Sequence, residues 1–231
     1  MSSLKVAILA SGSGTTAESF ISSCAEGLIS AHVDIVISNH ENPGAFEKIA
    51  KLNEKYGLNI KCIHIGKANY PAQQGEDVKY GHQTKAEEQK ILETLKENGA
   101  ELVLLLGYMK RVGPEIVKEY GWLPSYESVY QSRMINTHPG LLPETKGLFG
   151  LNVQKHMVDK GLATAGHCMF AVDDEYDDGP VITEHTFETD PSEDAEELFE
   201  RVKESEKKFL AADIQDFIDK QREYNRIKNN G

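Results

Sequence analysis

The sequence predicts an α/β protein in which a doubly wound, mostly parallel sheet lies between two layers of helices, with antiparallel strands near the C-terminus. Continuous apolar runs at 6–10 and 102–106 are typical of parallel strands that helices cover on both faces. These runs alternate with segments of helical periodicity, which favours βα units. The connection 173–180 between the last two candidate strands is short, which favours an antiparallel pair.

The first half of the 231-residue chain alternates between strand and helix patterns. Predicted strands cover 6–10, 33–38, 60–65 and 102–106, and predicted helices cover 17–25, 43–56 and 86–98. Within the second helix, Phe46, Ile49 and Leu52 recur at helical spacing. The polar stretch 66–84 has no such periodicity and predicts a long surface loop.

The second half predicts a short buried strand that ends at Pro139, then a helix, a strand pair and a final helix. The helix covers 151–160, and the strands cover 166–172 and 181–187. Asp190, Pro191 and Glu193 together form a helix-start pattern. The polar tail 220–231 is expected to fray. We expect one Rossmann-like domain, in three αβα layers, over residues 1–231.

Composition limits the classes of partner. Asp and Glu number 37 against 25 Lys and Arg, a net charge of −12, which argues against nucleic-acid binding. A local cradle of backbone N–H groups can still bind a small anion. The three cysteines include no Cys-x-x-Cys pair, which predicts a reducing, cytoplasmic location and no structural zinc. No apolar run approaches the roughly 20 residues of a membrane span. We expect small-molecule substrates as partners, without nucleic acid, membrane or metal. We also expect a monomer or homodimer.

A Gly-rich turn, Ser11 to Thr16, follows the first predicted strand. A turn of this kind presents free N–H groups at a helix N-terminus, which favours an anion such as phosphate. Gly14 allows close approach, and the hydroxyls of Thr15 and Thr16 can donate hydrogen bonds. The turn lacks both the Gly-Lys-Ser/Thr ending of a nucleoside-triphosphate loop and the third Gly of the dinucleotide motif. A tight strand–helix turn without a ligand is the alternative.

Asn136 and His138 lie two residues apart at the end of the short strand before Pro139. Residues i and i+2 of a strand point to the same side. In open α/β sheets, ligands bind beyond the carboxyl ends of the strands. An amide donor and a proton carrier at that place suit a reaction that develops negative charge on a carbonyl oxygen. The alternative is a histidine that satisfies backbone groups at a strand end.

The acidic loop 173–180 supplies a candidate carboxylate. It contains five acids, and a solvated loop is the usual explanation of such a run. Asp177 differs from the others because it lies just before Gly179 and Pro180, at the entry to the next strand. A carboxylate near His138 would raise the pKa of the imidazole by favouring its charged form.

These motifs resemble the phosphoribosylglycinamide formyltransferases, a folate-dependent branch of the formyltransferase superfamily. The resemblance runs nearly the whole length of the chain. It rests on the turn 11–16, the segment Gly107 to Val112, the Asn-Thr-His-Pro-Gly-Leu-Leu-Pro segment from Asn136, and the acidic loop that ends in Asp-Asp-Gly-Pro. It implies the formyltransferase fold and formyl transfer from 10-formyltetrahydrofolate to the amine of 5′-phosphoribosylglycinamide, in purine biosynthesis.

The resemblance also implies roles for particular residues. The implied catalytic residues are Asn136, His138 and Asp177; the implied ribonucleotide-binding residues are Gly14, Thr15, Thr16 and Glu206; the implied folate-binding residues are Lys85, Met109, Lys110, Arg111, Val112 and Asp173, with Thr84 as the alternative to Lys85. Residues 1–110 would form the ribonucleotide-binding half, and residues 111–231 the catalytic and folate-binding half. Protonated His138 and the Asn136 amide would stabilise the oxyanion.

The sequence departs from the family pattern at several places. Thr15-Thr16 stands where Ser-Asn is usual, Lys110 where Arg is common, and Asp178 where Gly is usual. The segment 144–149 looks slightly longer than the corresponding turn of the family. Two other functions stay open: formyl transfer to another amine acceptor, and a non-catalytic folate or nucleotide sensor.

Overall fold

The computed structural model describes residues 3–230. Its strands are β1 Leu4–Leu9, β2 Ala31–Ser38, β3 Lys61–His64, β4 Leu102–Leu105, β5 Met134–His138, β6 Thr164–Ala171 and β7 Val181–Glu188. Its helices are α1 Thr15–Ala25, α2 Gly44–Tyr56, α3 Lys85–Glu97, α4 Pro114–Tyr120, α5 Leu151–Asp159 and α6 Ala195–Asn230. A 3₁₀ turn, Val129–Gln131, precedes β5. The α4 helix and this turn were not predicted.

All seven strands form one sheet in the order β3-β2-β1-β4-β5-β6-β7. The first five strands pair in parallel, whereas β5 with β6 and β6 with β7 are antiparallel. The predicted fold class, including the antiparallel C-terminal pair, is confirmed. Leu9 pairs with Leu105, and Leu105 pairs with Asn136. The loops after β1, β4 and β5 therefore leave the sheet at the same edge, where α/β proteins bind ligands.

Two hydrophobic clusters fill the spaces between the sheet and its helical layers. Val6 and Ile8 of β1 join the cluster that contains Phe20, Ile49 and Phe217 of the helices α1, α2 and α6. The intervening residues Ala7 and Leu9 point to the opposite face and join Ile91, Leu95 and Ile116 of α3 and α4. Burial on both faces explains the continuous apolar run of β1, since a side chain of this size contributes about 1.5–3 kcal/mol when buried.

The predicted start of the last helix was wrong. The Asp190 side chain accepts hydrogen bonds from the N–H and hydroxyl of Ser192 and closes a separate turn. The helix begins after Asp194, whose carboxylate accepts the Glu197 N–H while the Glu197 side chain accepts the Asp194 N–H. This reciprocal capping box satisfies two backbone donors and outcompetes the pattern four residues earlier.

The C-terminal tail is also more ordered than predicted. The helix α6 runs to Asn230, and Gln221 is buried while its amide donates to the Ser132 carbonyl. Phe217 packs against Tyr130, with ring centroids 5.7 Å apart. Docking on the 3₁₀ turn and on Ser132, just after it, therefore holds this polar helix. The loop 66–84 was predicted well: a single bridge between His82 and Arg111 is its only regular pairing among the described residues.

Candidate active site

A cavity of about 350 Å³, which we call the main cavity because it contains most of the assigned residues, opens at the carboxyl edge of the parallel strands. The turn after β1, the segment after β4, the end of β5, the acidic loop and α6 all contribute to its wall. Its lining includes Gly14, Thr15, Thr16, Met109, Asn136, His138, Asp177 and Glu206. Eight of the residues assigned from the sequence, spread over almost 200 positions, therefore face one space.

His138 is buried, with 3% of its surface exposed. Its Nε2 lies 2.9 Å from the hydroxyl of Thr145, and its Nδ1 lies 3.9 Å from Oδ2 of Asp177. Burial lowers the pKa of His138 to about 4, while the contact with Thr145 opposes that change. The sequence argument predicted the opposite direction from the nearby carboxylate. That prediction was wrong because loss of hydration dominates, so this imidazole is neutral near pH 7.

Asp177 occupies an unusual backbone position. Its φ of 51° lies in the left-handed region, and it is the only non-glycine with positive φ among the described residues. Such a conformation is uncommon outside glycine, and strain of this kind clusters at functional sites. The carboxylate is buried and accepts the Gly147 N–H at 3.2 Å. Burial raises the pKa of Asp177 to about 6, so the acid is ionised at neutral pH and close to titrating.

The Gly-rich turn meets the cavity at the N-terminus of α1. Gly14 caps the helix with φ 71°, and a Cβ there would lie 2.5 Å from Ala45 of α2, so the position requires glycine. Thr15 and Thr16 are the first two residues of α1, and no side chain caps the helix. Because the first N–H groups of a helix have no partner within it, this end suits an anion.

Glu206 approaches the cavity from α6. Burial raises the pKa of its partly buried carboxyl group, and a hydrogen bond from the Thr137 side chain opposes the change. Lys203 lies one turn earlier on the same helix face and also lines the cavity, near Thr15 and Thr16. The sequence analysis missed Lys203, although its spacing of three residues from Glu206 places both on one helix face. Lys203 also pairs with Glu200 at 2.7 Å.

The residues assigned to folate separate into two groups. Met109 is 41% exposed at the rim of the main cavity. A smaller adjoining space of about 30 Å³ is lined by Lys110, Arg111, Val112 and Asp173, together with Asn136 and Asp177. The Lys110 ammonium is bound to the fully buried carboxylate of Glu87, so its charge is already paired within the protein. Burial raises the pKa of Asp173.

Lys85 is not brought to the main cavity. It lines a separate surface cavity of about 570 Å³, with Lys79 and Arg111. Thr84, the alternative to Lys85, is fully buried and forms a capping box with Glu87 at the start of α3. Arg111 lines both this cavity and the small space beside Asp177, and so lies between them.

The described part of the chain has neither a metal-binding cluster nor a membrane-spanning helix. Within residues 3–230, no group of three His, Cys, Asp or Glu side chains has an arrangement that could hold a metal ion. No helix in the same range has both the length and the apolar character needed to cross a membrane.

The fold and the cavity define a class: a doubly wound α/β protein with a cavity at the carboxyl edge of its sheet and an imidazole and a carboxylate buried in the cavity wall. The chain matches the formyl transferase family over residues 4–214 and therefore belongs to that family.

Curated relatives have similar sequences. The chain is 26% identical over 206 residues to a chloroplastic phosphoribosylglycinamide formyltransferase of Arabidopsis thaliana, and the match covers 88% of this chain and 62% of that protein. It is 27% identical over 212 residues to the trifunctional purine biosynthetic protein adenosine-3 of Gallus gallus, which covers 92% of this chain and 18% of that protein. The chain thus spans less than two thirds of the length of either relative.

Solved structures share the fold. A glycinamide ribonucleotide transformylase 1 from Symbiobacterium toebii superposes with a TM-score of 0.73 at 26% identity, covering 92% of this chain and 86% of that one. A phosphoribosylglycinamide formyltransferase from Bacillus halodurans gives a TM-score of 0.74 at 26% identity, with 93% and 95% covered.

Proposed function

We propose that this protein transfers the formyl group of 10-formyltetrahydrofolate to the amine of 5′-phosphoribosylglycinamide, a step of purine biosynthesis. Family membership and the names of the relatives support this reaction. The observation that carries it is the shared cavity, in which Asn136, His138 and Asp177 lie beside a helix N-terminus that suits a phosphate.

The ribonucleotide would bind along the α1–α6 side of the cavity. Its phosphate would accept hydrogen bonds from the turn at Gly14, Thr15 and Thr16, and Lys203 would supply a compensating cation from α6. The Glu206 carboxylate, one turn further, would bind the glycinamide portion. In this arrangement the free amine of the bound ribonucleotide would lie on the side of its phosphate that faces His138.

The folate would bind on the β4–β5 side. The segment Met109 to Val112, with Asp173, would line this half of the site, which begins at the small space beside Asn136 and Asp177. Because the Lys110 charge is paired with Glu87, Arg111 is the better candidate for the anionic end of the folate. Arg111 and Lys85 both line the outer cavity. In this proposal residues 1–110 supply most of the ribonucleotide site, and residues 111–231 supply the catalytic groups and three of the six assigned folate residues.

The chemistry needs one proton to move from nitrogen to nitrogen. The amine attacks the formyl carbon, the carbonyl electron pair moves onto oxygen, and the Asn136 amide donates a hydrogen bond to that oxyanion. Removal of one such donor typically costs about 2.7–4 kcal/mol of barrier. Neutral His138 takes the proton from the attacking nitrogen and returns it to N10 of the folate, which leaves as tetrahydrofolate when the carbonyl re-forms. The Asp177 carboxylate stabilises the imidazolium between these two transfers.

The direct test is turnover of purified protein with both substrates, measured as release of tetrahydrofolate and as formylated ribonucleotide. We expect both products in equal amounts, and none above background for a folded His138→Ala variant. Equal rates for the variant and the unmodified protein would refute the proposal. A competition experiment identifies the acceptor. Unlabelled glycinamide ribonucleotide, an amino sugar nucleotide or a charged initiator tRNA is added to a reaction with labelled glycinamide ribonucleotide. We expect only the unlabelled glycinamide ribonucleotide to slow turnover of the labelled substrate.

The proposed setting is the cytoplasm, with the two small molecules as substrates and with 10-formyltetrahydrofolate as the co-substrate. The three cysteines are free thiols, which supports a reducing compartment. The Arabidopsis relative is described as chloroplastic, so fractionation of the source cells would decide the location. We propose a monomer or homodimer, which sedimentation of the purified protein would test.

A further inference from the structure

Two residues of the loop between β5 and α5 contact the catalytic groups, and the residue between them binds the acid next to Asp177. Thr145 binds His138 through a 2.9 Å contact between its hydroxyl and Nε2. Lys146 binds the carboxylate of Asp178, and the N–H of the next residue, Gly147, donates to Asp177. One short segment of the chain thus holds both the imidazole at the end of β5 and the carboxylate in the loop between β6 and β7.

The Thr145 hydroxyl has one proton to donate, and a hydrogen-bond acceptor for that proton lies within reach. The hydroxyl donates to the Leu141 carbonyl at 2.9 Å. Its oxygen is then free to accept the N–H at Nε2 of His138, because a hydroxyl is both donor and acceptor. Thr145 is fully buried and His138 nearly so. A buried N–H without an acceptor at this place would lose its hydration without compensation.

The other ring nitrogen has no such partner among residues 3–230. Nδ1 of His138 is 3.9 Å from the Asp177 carboxylate, which is too long for a hydrogen bond. Since the Thr145 hydroxyl occupies Nε2, Nδ1 is the nitrogen that remains for a substrate proton. A proton gained at Nδ1 faces the carboxylate, which favours the imidazolium when it forms.

We propose that Thr145 is a positioning residue that holds neutral His138 in the tautomer protonated at Nε2 and so leaves the Nδ1 lone pair to receive the proton of the attacking amine. The catalytic part of this proposal rests on the proposed function, whereas the tautomer does not. Gly140 makes the arrangement sterically possible. A Cβ at Gly140 would lie 2.4 Å from the Thr145 hydroxyl oxygen and 2.7 Å from Val153.

The tautomer can be measured without any substrate. Two-bond correlations between imidazole ring protons and ¹⁵N distinguish the two nitrogens of His138 in labelled protein near pH 7.5. We expect a protonated Nε2 and an unprotonated Nδ1 in the unmodified protein and in Thr145→Ser, which keeps the hydroxyl. In Thr145→Val we expect a shift toward the Nδ1–H form. An unmodified protein with the proton on Nδ1, or a Thr145→Val protein with an unchanged spectrum, would overturn the proposal.

Kinetics test the consequence for catalysis. Thr145→Val should lower kcat by about 10²-fold, at the low end of the contribution of general acid–base catalysis. The KM for each substrate should change by less than about twofold, because Thr145 lines neither binding site. Thr145→Ser should recover most of kcat. A Thr145→Val variant that shifts the tautomer but keeps full kcat would overturn the catalytic part.

Thr183 offers a matched control for the substitution. Its hydroxyl oxygen is buried and makes no hydrogen bond within the described residues. Thr183→Val should therefore leave the His138 tautomer and kcat unchanged. If the unmodified protein forms no tetrahydrofolate, the proposed function fails by itself, and the NMR comparison of the Thr145 and Thr183 variants still decides the positioning role.

Discussion

The two sides of the cavity are built differently. At the reaction centre, His138, Thr145 and Asp177 are buried and held by specific hydrogen bonds. At the outer folate side, Met109 is 41% exposed and the Arg111 side chain is 31% exposed. Buried bonds fix a geometry before substrate arrives, while exposed side chains can adjust to a ligand. We therefore expect changes at the first region to alter kcat and changes at the second to alter KM.

Replacement of Asp177 should give the largest effect. Asp177→Asn keeps the shape but cannot stabilise an imidazolium, so we expect kcat to fall by about 10²–10³-fold, within the range of general acid–base catalysis. Asp178→Asn is the matched control, because the neighbouring carboxylate is exposed and bound to Lys146, and it should change kcat by less than about twofold. A comparable loss in both variants would show that net charge of the loop, and not Asp177, matters.

The same variant has a pH signature. Only ionised Asp177 can stabilise the imidazolium, and burial raises its pKa to about 6. The kcat of the unmodified protein should therefore fall about tenfold per pH unit below pH 6, as for loss of one essential base. Asp177→Asn should lack that limb. A limb that persists in the variant would assign the titration to another group.

Stability should change with pH in the opposite direction. Because the folded-state pKa of Asp177 is above its ordinary value of 3.8, the folded protein binds more protons than the unfolded chain between about pH 4 and 6. The Asp177 contribution to the free energy of unfolding therefore falls as the pH rises through this window. Urea titrations should show Asp177→Asn gaining stability relative to the unmodified protein from pH 4 to 6. A constant difference between the two proteins would contradict this sign.

Lys110 is assigned to the folate side of the cavity, but its ammonium is paired with the Glu87 carboxylate inside the protein. Lys110→Met would leave the Glu87 carboxylate buried without its cation, and such a loss costs about 3–5 kcal/mol of unfolding free energy. Urea unfolding measures this loss. Lys85→Met, at the start of the same helix, should change stability by less than about 0.5 kcal/mol, as is usual for a surface substitution. A stable Lys110→Met variant with a large increase in folate KM would instead make Lys110 a ligand contact.

Lys203 should show the smaller effect of a binding residue. Lys203→Met removes one cation from the phosphate side of the cavity, and a charge-assisted hydrogen bond contributes about 1.5–3 kcal/mol. We expect the KM for the ribonucleotide to rise about tenfold, with kcat and the KM for folate nearly unchanged. Lys208→Met, five residues further on the same helix and outside the cavities that Thr15 and Thr16 line, is the control. Equal effects of both variants would indicate long-range attraction without a specific contact.

Local patterns predicted much of this arrangement. Gly14 needs a left-handed backbone, and Asn136 and His138 share a side because strand residues alternate, so their positions follow from neighbours in sequence. Asp177 was one acid among five, and the sequence set it apart only by its place near Gly179 and Pro180. Its burial and its φ of 51° are properties of the folded backbone. The contact between Thr145 and His138 depends on how a loop folds back. No periodic pattern in the sequence predicts such a contact.

Energetic competition explains the remaining errors. Two capping patterns, at Asp190 and Asp194, compete for the start of α6, and the reciprocal hydrogen bonds between Asp194 and Glu197 select the second. The direction of the His138 pKa was mispredicted because burial is a property of the whole fold. A neighbouring carboxylate can be predicted from a motif, whereas the loss of water around the imidazole cannot.

The central claim is that one cavity brings the amine of a ribonucleotide to Nδ1 of His138. A crystal structure with glycinamide ribonucleotide and an unreactive folate analogue would test it most directly. We predict the phosphate at Gly14 to Thr16 and the amine within about 3.2 Å of Nδ1, or one water away, as proton transfer requires. A phosphate bound elsewhere, or an amine far from this imidazole, would contradict the account.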